Sequence, residues 1–105
     1  MLVSNNPLEL LAKDPVELSI VTLKARLMMV VTKLIREQRY TQAEAAKLLG
    51  VSQPRISNLM NGKISKFSID MLIEMMGRLG YLMDVSCDPT ATENPISVSV
   101  KKSTV

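Results

Sequence analysis

The sequence predicts a mainly α-helical domain, a bundle of four to five helices, followed by a short C-terminal β-strand or hairpin. Three observations predict it. Apolar residues between positions 15 and 79 recur at steps of three and four, the spacing of one face of a helix. Residues that start helices stand at Asp14, Thr41, Ser52 and Ser68. After Gly80 the apolar period drops to two, the alternation of a strand. At 105 residues the chain has the size of one domain, and 47% hydrophobic against 22% charged residues suffices for a core. The expected division is an arm over 1–14, a helical domain over 15–80, a β element over 81–101 and a tail over 102–105.

Taken in order, Asp14-Pro15-Val16-Glu17 opens the first helix. Asp14 caps it, Pro15 suits the first helical position, and Glu17 lies three residues after the cap. Ile20, Leu23, Leu27, Val30 and Leu34 form the predicted apolar stripe, which Met28, Val31 and Ile35 widen, and the helix ends near Gln38. Thr41 and Glu44 are spaced as a capping box at the start of the second helix. Gly50 ends that helix, Ser52 caps a third with Pro54 in its first turn, and Asn61-Gly62 stops it. Ser68 caps a fourth helix with Ile69, Leu72, Ile73, Met76 and Leu79 at helical spacing. Met83, Val85 and Cys87 alternate with Asp84, Ser86 and Asp88, which predicts a half-buried strand. Ile96, Val98 and Val100 alternate again beyond the turn-rich stretch 88–95. Periodicity leaves two alternatives there, a hairpin or a frayed tail after Pro89. A lone two-stranded ribbon is marginal in water, so a hairpin would need the bundle or a second chain over its apolar face. That makes the C-terminal element a candidate for dimerisation.

Several kinds of chemistry are excluded by what the chain lacks. There is no histidine, the usual general base and metal ligand near neutral pH. The one cysteine, Cys87, has no basic neighbour in sequence to activate it and no second thiol to pair with. Glu37, Glu44, Asp70 and Glu74 have no nucleophile or ligand spacing around them. The prediction is therefore no enzyme, no cofactor and no metal. Eight methionines include Met28, Met60, Met71, Met76 and Met83 on or beside apolar stripes, and these read as core packing. The N-terminus does not resemble a secretory signal, and the longest strongly apolar run, Leu27 to Val31, is too short to span a membrane. A soluble cytoplasmic protein is expected. The net charge of +3 is unevenly placed: residues 24–66 carry nine basic and two acidic side chains, and the remainder carries four basic and eight acidic.

The most informative stretch runs from Gln42 to Leu59, two short helices joined by Leu49-Gly50-Val51-Ser52. Two helices packed near a right angle need a small residue at their approach, a turn residue tolerant of positive φ, and apolar inner faces. Ala46 and Gly50 meet the first two needs; Ala45, Leu49, Val51, Ile56 and Leu59 meet the third. Residues 41–79, and most specifically TQAEAAKLLGVSQPRIS, resemble the helix-turn-helix of lambdoid phage repressors and the XRE family, with the small HigA-type antitoxins most similar over roughly 16–100. The resemblance implies a lambda-repressor-like fold and a homodimeric protein that binds double-stranded operator DNA and represses its own operon. In toxin–antitoxin pairs it further implies neutralisation of a RelE-like toxin. In such a motif the second helix enters the major groove with its N-terminal residues toward base edges. Here those are Ser52, Gln53, Arg55, Ser57 and Asn58, with Ser52 also the cap. Gln53 suits adenine, and Arg55 suits guanine or phosphate. Gln42 resembles the family glutamine that holds a phosphate and braces the recognition-helix glutamine, here Gln53. Lys63 and Lys66 suit the phosphate backbone.

Overall fold

The computed structural model describes residues 13–103; the predicted arm up to residue 12 and residues 104 and 105 of the predicted tail lie outside the described residues. Its elements are α1 (Pro15–Glu37), α2 (Gln42–Leu49), α3 (Gln53–Met60), a single 3-10 turn (Ile64–Lys66), α4 (Ile69–Arg78), β1 (Tyr81–Cys87) and β2 (Ile96–Lys102). No helix among the described residues is long and apolar enough to cross a membrane.

Each α-helix starts on a side chain that accepts an otherwise unpaired N–H. Asp14 Oδ1 accepts from Glu17 N at 2.7 Å, Ser52 Oγ from Arg55 N at 3.2 Å, and Ser68 Oγ from Met71 N at 3.3 Å. At α2 the bonds are reciprocal: Glu44 N donates to Thr41 Oγ1 at 3.1 Å and Thr41 N to Glu44 Oε1 at 2.9 Å. Three helix ends share one device, in which a residue in the left-handed region lets two N–H groups turn back onto the last carbonyls. At α2 it is Gly50, with φ +67, and Val51 N donates to Ala46 O at 3.0 Å. At α3 it is Gly62, and Lys63 N donates to Asn58 O at 3.0 Å. At α1 it is Arg39, a non-glycine at φ +58, followed by Tyr40, whose N donates to Ile35 O at 3.4 Å and whose ring packs on the core.

The core is drawn from all four helices. Val31 and Ile35 of α1, Ala45 of α2, Ile56 of α3, and Leu72 and Met76 of α4 are completely buried. Leu49, Leu59, Phe67 and Met75 join them, and no polar side chain is buried among the described residues. The face of α1 differs from the predicted stripe. Leu27, Met28, Val31 and Ile35 are buried, whereas Ile20, Leu23 and Val30 are 40–48% exposed and Leu34 is half-buried. The reason is geometric: α3, α4 and the 3-10 turn are short, so the N-terminal half of α1 with Ile20 and Leu23 extends past them, while Val30 and Leu34 lie one residue round the helix from the buried Val31 and Ile35.

The C-terminal segment is an antiparallel hairpin, with Met83 opposite Val100, Val85 opposite Val98 and Cys87 opposite Ile96. This resolves the choice between hairpin and frayed tail, and β2 continues through Lys102 into the stretch read as tail. The half-buried strand is a correction. Only Tyr81 and Met83 of β1 are half-buried, while Val85 and Cys87 are exposed, as is all of β2. The ribbon leaves the bundle beyond Met83, and among the described residues nothing covers its far end.

Candidate nucleic-acid interface

The interface is built on α3. Ile56 and Leu59 are 0% and 1% exposed and pin the helix to the core. Helical spacing then turns Gln53, Pro54, Ser57, Asn58 and Asn61 outward. Gln53 is exposed, Ser57 and Asn58 are half-buried, and Ser57 Oγ accepts from Asn61 Nδ2 at 3.4 Å. Ser52 is exposed at the helix start, with its hydroxyl engaged as the cap. Lys63 and Lys66, both exposed, flank the chain just past α3, and Lys66 N donates to Lys63 O at 3.0 Å. The backbone bond from Lys63 to Asn58 ties this basic corner to the outward face of α3.

Gln42 is the first residue of α2 and is exposed. The brace that the resemblance implies between Gln42 and Gln53 is not made as a hydrogen bond in the free chain, where both amides face solvent. Glu44 beside it is held ionised, because the backbone N–H of Thr41 and then its hydroxyl lower its pKa. The turn between the two helices lies under α4. Arg78 is paired with Glu74 at 3.2 Å, and its guanidinium carbon would lie 3.7 Å from a Cβ placed on Gly50. A cation at that point favours the negative end of α2.

Arg55 stands apart from the other predicted residues. Its side chain leaves α3 toward α4, where Nη1 lies 3.6 Å from Met71 Sδ and the guanidinium carbon sits 5.9 Å from the centre of the Phe67 ring. That is cation–π range, and the residue is half-buried. Arg55 is thus placed on the flank of the reading face, with its rotamer restrained by two apolar neighbours. Phe67 and Met71 were not singled out from the sequence as neighbours of this site, and Asn61 was missed as an outward residue of α3. Asn61 was findable, since it lies eight residues after Gln53 and so on the same side of the helix. The Phe67–Arg55 pair was not, since it depends on how α4 packs. Among the described residues no group of three or more His, Cys, Asp or Glu could hold a metal ion.

A capped recognition helix, a glycine turn and a basic corner define a helix-turn-helix unit. A family model described as "Helix-turn-helix domain" matches residues 12–88. No curated protein matches. A solved structure described as "Putative XRE Family Transcriptional Regulator" is 31% identical, with a TM-score of 0.60 over 71% of this chain and 82% of that one. The chain belongs to this helix-turn-helix family, and is a DNA-binding transcriptional regulator of the XRE type.

Proposed function

We propose that the protein is an autorepressor that binds, as a homodimer, an inverted-repeat operator near its own promoter. Its place of work is then the bacterial cytoplasm, at the nucleoid. The observation that carries this is the outward face of α3: Gln53, Ser57 and Asn58 are presented by a helix whose opposite side is fully buried, with Lys63 and Lys66 at its end. Gln53 and Asn58 read base edges, since an amide can pair bidentately with adenine. Arg55 reaches guanine or a phosphate from its restrained position on the flank. Gln42, Ser52, Lys63 and Lys66 hold the phosphate backbone, which sets register and affinity. Half-sites read by two copies lie about 34 Å apart, one turn of DNA.

A mobility-shift titration on the region upstream of the gene tests this. Arg55→Ala should cost roughly 1–3 kcal/mol and relax preference at one base position. Lys63→Ala should weaken binding to all sequences alike and flatten the salt slope by about one unit. No sequence-specific shift at moderate salt overturns the reading, and identical behaviour of the two variants overturns the division of roles.

A second reading is that of an antitoxin which inhibits a RelE-like toxin. The charge distribution supports it, since eight of the ten acidic residues lie outside positions 24–66, apart in sequence from the basic stretch assigned to DNA. Co-expression with the product of an adjacent small gene decides it. Co-purification together with restored growth supports inhibition, and a solitary gene supports a stand-alone or prophage-derived repressor.

A further inference from the structure

The hairpin has two unlike faces. Its register and the period of two put Met83, Val85, Cys87, Ile96, Val98 and Val100 on one side, with Tyr81 and Lys102 at its end next to the bundle. The other side carries Leu82 near Gly77 of α4, then Asp84 and Lys101, paired at 3.1 Å, and Ser86 and Ser97, whose hydroxyls lie 2.7 Å apart. Beyond Leu82 that side is polar, and its groups pair with one another. On the apolar side Val85 is 66% exposed, Ile96 65%, Val98 55% and Val100 42%. Among the described residues the helical core reaches this face only at Met83.

We propose that this face is the surface on which two copies of the chain meet, sheet upon sheet. The proposal gives the homodimer read above its interface, and β2, half of that interface, lies beyond the residues 12–88 that the family model matches. From Met83 to Cys87 and from Ile96 to Val100 the face carries no charge, Lys102 standing beyond that stretch beside Tyr81, so the stretch fits a second one that is equally uncharged. Stacking two hairpins about 10 Å apart with strands antiparallel puts Val85 and Val98 at the two-fold centre. The Met83–Val100 end then covers the partner's Cys87 and the partner's Ile96, and no like charges are brought together. Six side chains of this kind present roughly 400–700 Å² of apolar surface. With strand backbone and rim added, that approaches the ~800 Å² per partner of a standard interface. Edge-to-edge pairing would instead leave the same side chains in water, so the burden of burial falls on the faces.

The test uses the full chain without DNA. Sedimentation equilibrium should give twice the 11.6 kDa chain mass, and the double variant Val85→Lys, Val98→Lys should give it once with an unchanged helical circular-dichroism signal. Cys87 lies on the proposed interface, so a maleimide should label it slowly in the native protein, and many-fold faster on dilution and in the double variant. If the lysine pair disturbs the helical signal, Val85→Ser, Val98→Ser takes its place with the same expectations. A native chain that stays monomeric at high concentration overturns the proposal. So does a dimer that survives a folded double variant, or Cys87 labelling that ignores concentration. Because no arm contains DNA, a failure here leaves the DNA contacts assigned to α3 standing, and a failed operator assay leaves the dimer standing.

Discussion

The helical bundle of residues 15–78 and the hairpin of residues 81–102 obey local rules equally well, yet only the bundle closes on itself. In the bundle every α-helix start has its side-chain cap, three helix ends turn back on their own carbonyls, and the apolar faces of four helices meet in one core. In the hairpin seven pairs keep perfect register, with Asp88 N donating to Pro95 O at 2.7 Å at the mouth of its loop. Within a single chain, its apolar side chains beyond Met83 nevertheless stay exposed. Regular pairing and burial are separate achievements, and the second needs a partner surface that the first does not create.

Substitutions at matched apolar residues probe this difference most strongly. Ile56→Ala should destabilise the protein by about 2–5 kcal/mol, because it opens a cavity in a fully buried site. Val98→Ala, measured at dilutions that favour single chains, should stay within about 0.5 kcal/mol. Urea denaturation reads both, and similar losses would make the hairpin part of the core. A smaller effect is expected at the turn of the reading unit. Gly50→Ala should cost about 1–2 kcal/mol through its φ of +67, since the added methyl would meet Arg78 only at ordinary contact distance. Full recovery of stability in Arg78→Ala, Gly50→Ala would show that crowding, not backbone conformation, was the cause.

Arg39 makes the reverse case. It occupies the left-handed region without being glycine, so Arg39→Gly should raise the melting temperature, by a gain of up to about 1 kcal/mol. A drop would mean that the side chain contributes more than its backbone costs. The smallest effect belongs to Glu44, whose pKa is lowered by the Thr41 N–H and hydroxyl. A lowered folded-state pKa adds stability that is full above the ordinary carboxylate range and is lost as pH falls through the lowered value. The native protein should therefore melt above Glu44→Gln at neutral pH, and the gap should close in acid. A gap that widens in acid would contradict the bond as its source.

Much of the architecture is legible from residues close in sequence. Asp14, Thr41, Ser52 and Ser68 cap helices as their spacing to the next N–H groups predicts, and Gly50 takes the left-handed turn. Ala45, Ala46, Leu49, Ile56 and Leu59 are buried where the two-helix unit requires them, whereas Val51, expected to be buried with them, is half-buried against the core. The centre of the α1 face was not legible. Eight apolar residues within one long helix define a wide stripe, and only the packing of shorter neighbours selects Val31 and Ile35 over Val30 and Leu34. Nor was the position of Arg55, which is set by Phe67 and Met71 at separations of 12 and 16 residues.

The sequence by itself determined where helices begin and end, where the period changes to that of a strand, and which side chains could face DNA. Those features rest on bonds between residues two to five apart, which the local chain can form unaided. The tertiary structure alone decided which side of α1 is buried, that Arg55 leans on α4 while Gln53 stays free, and that the bundle of the same chain covers the hairpin's apolar face only at Met83 among the described residues. Each of those is a competition for neighbours distant in the chain, and its outcome depends on how the elements pack.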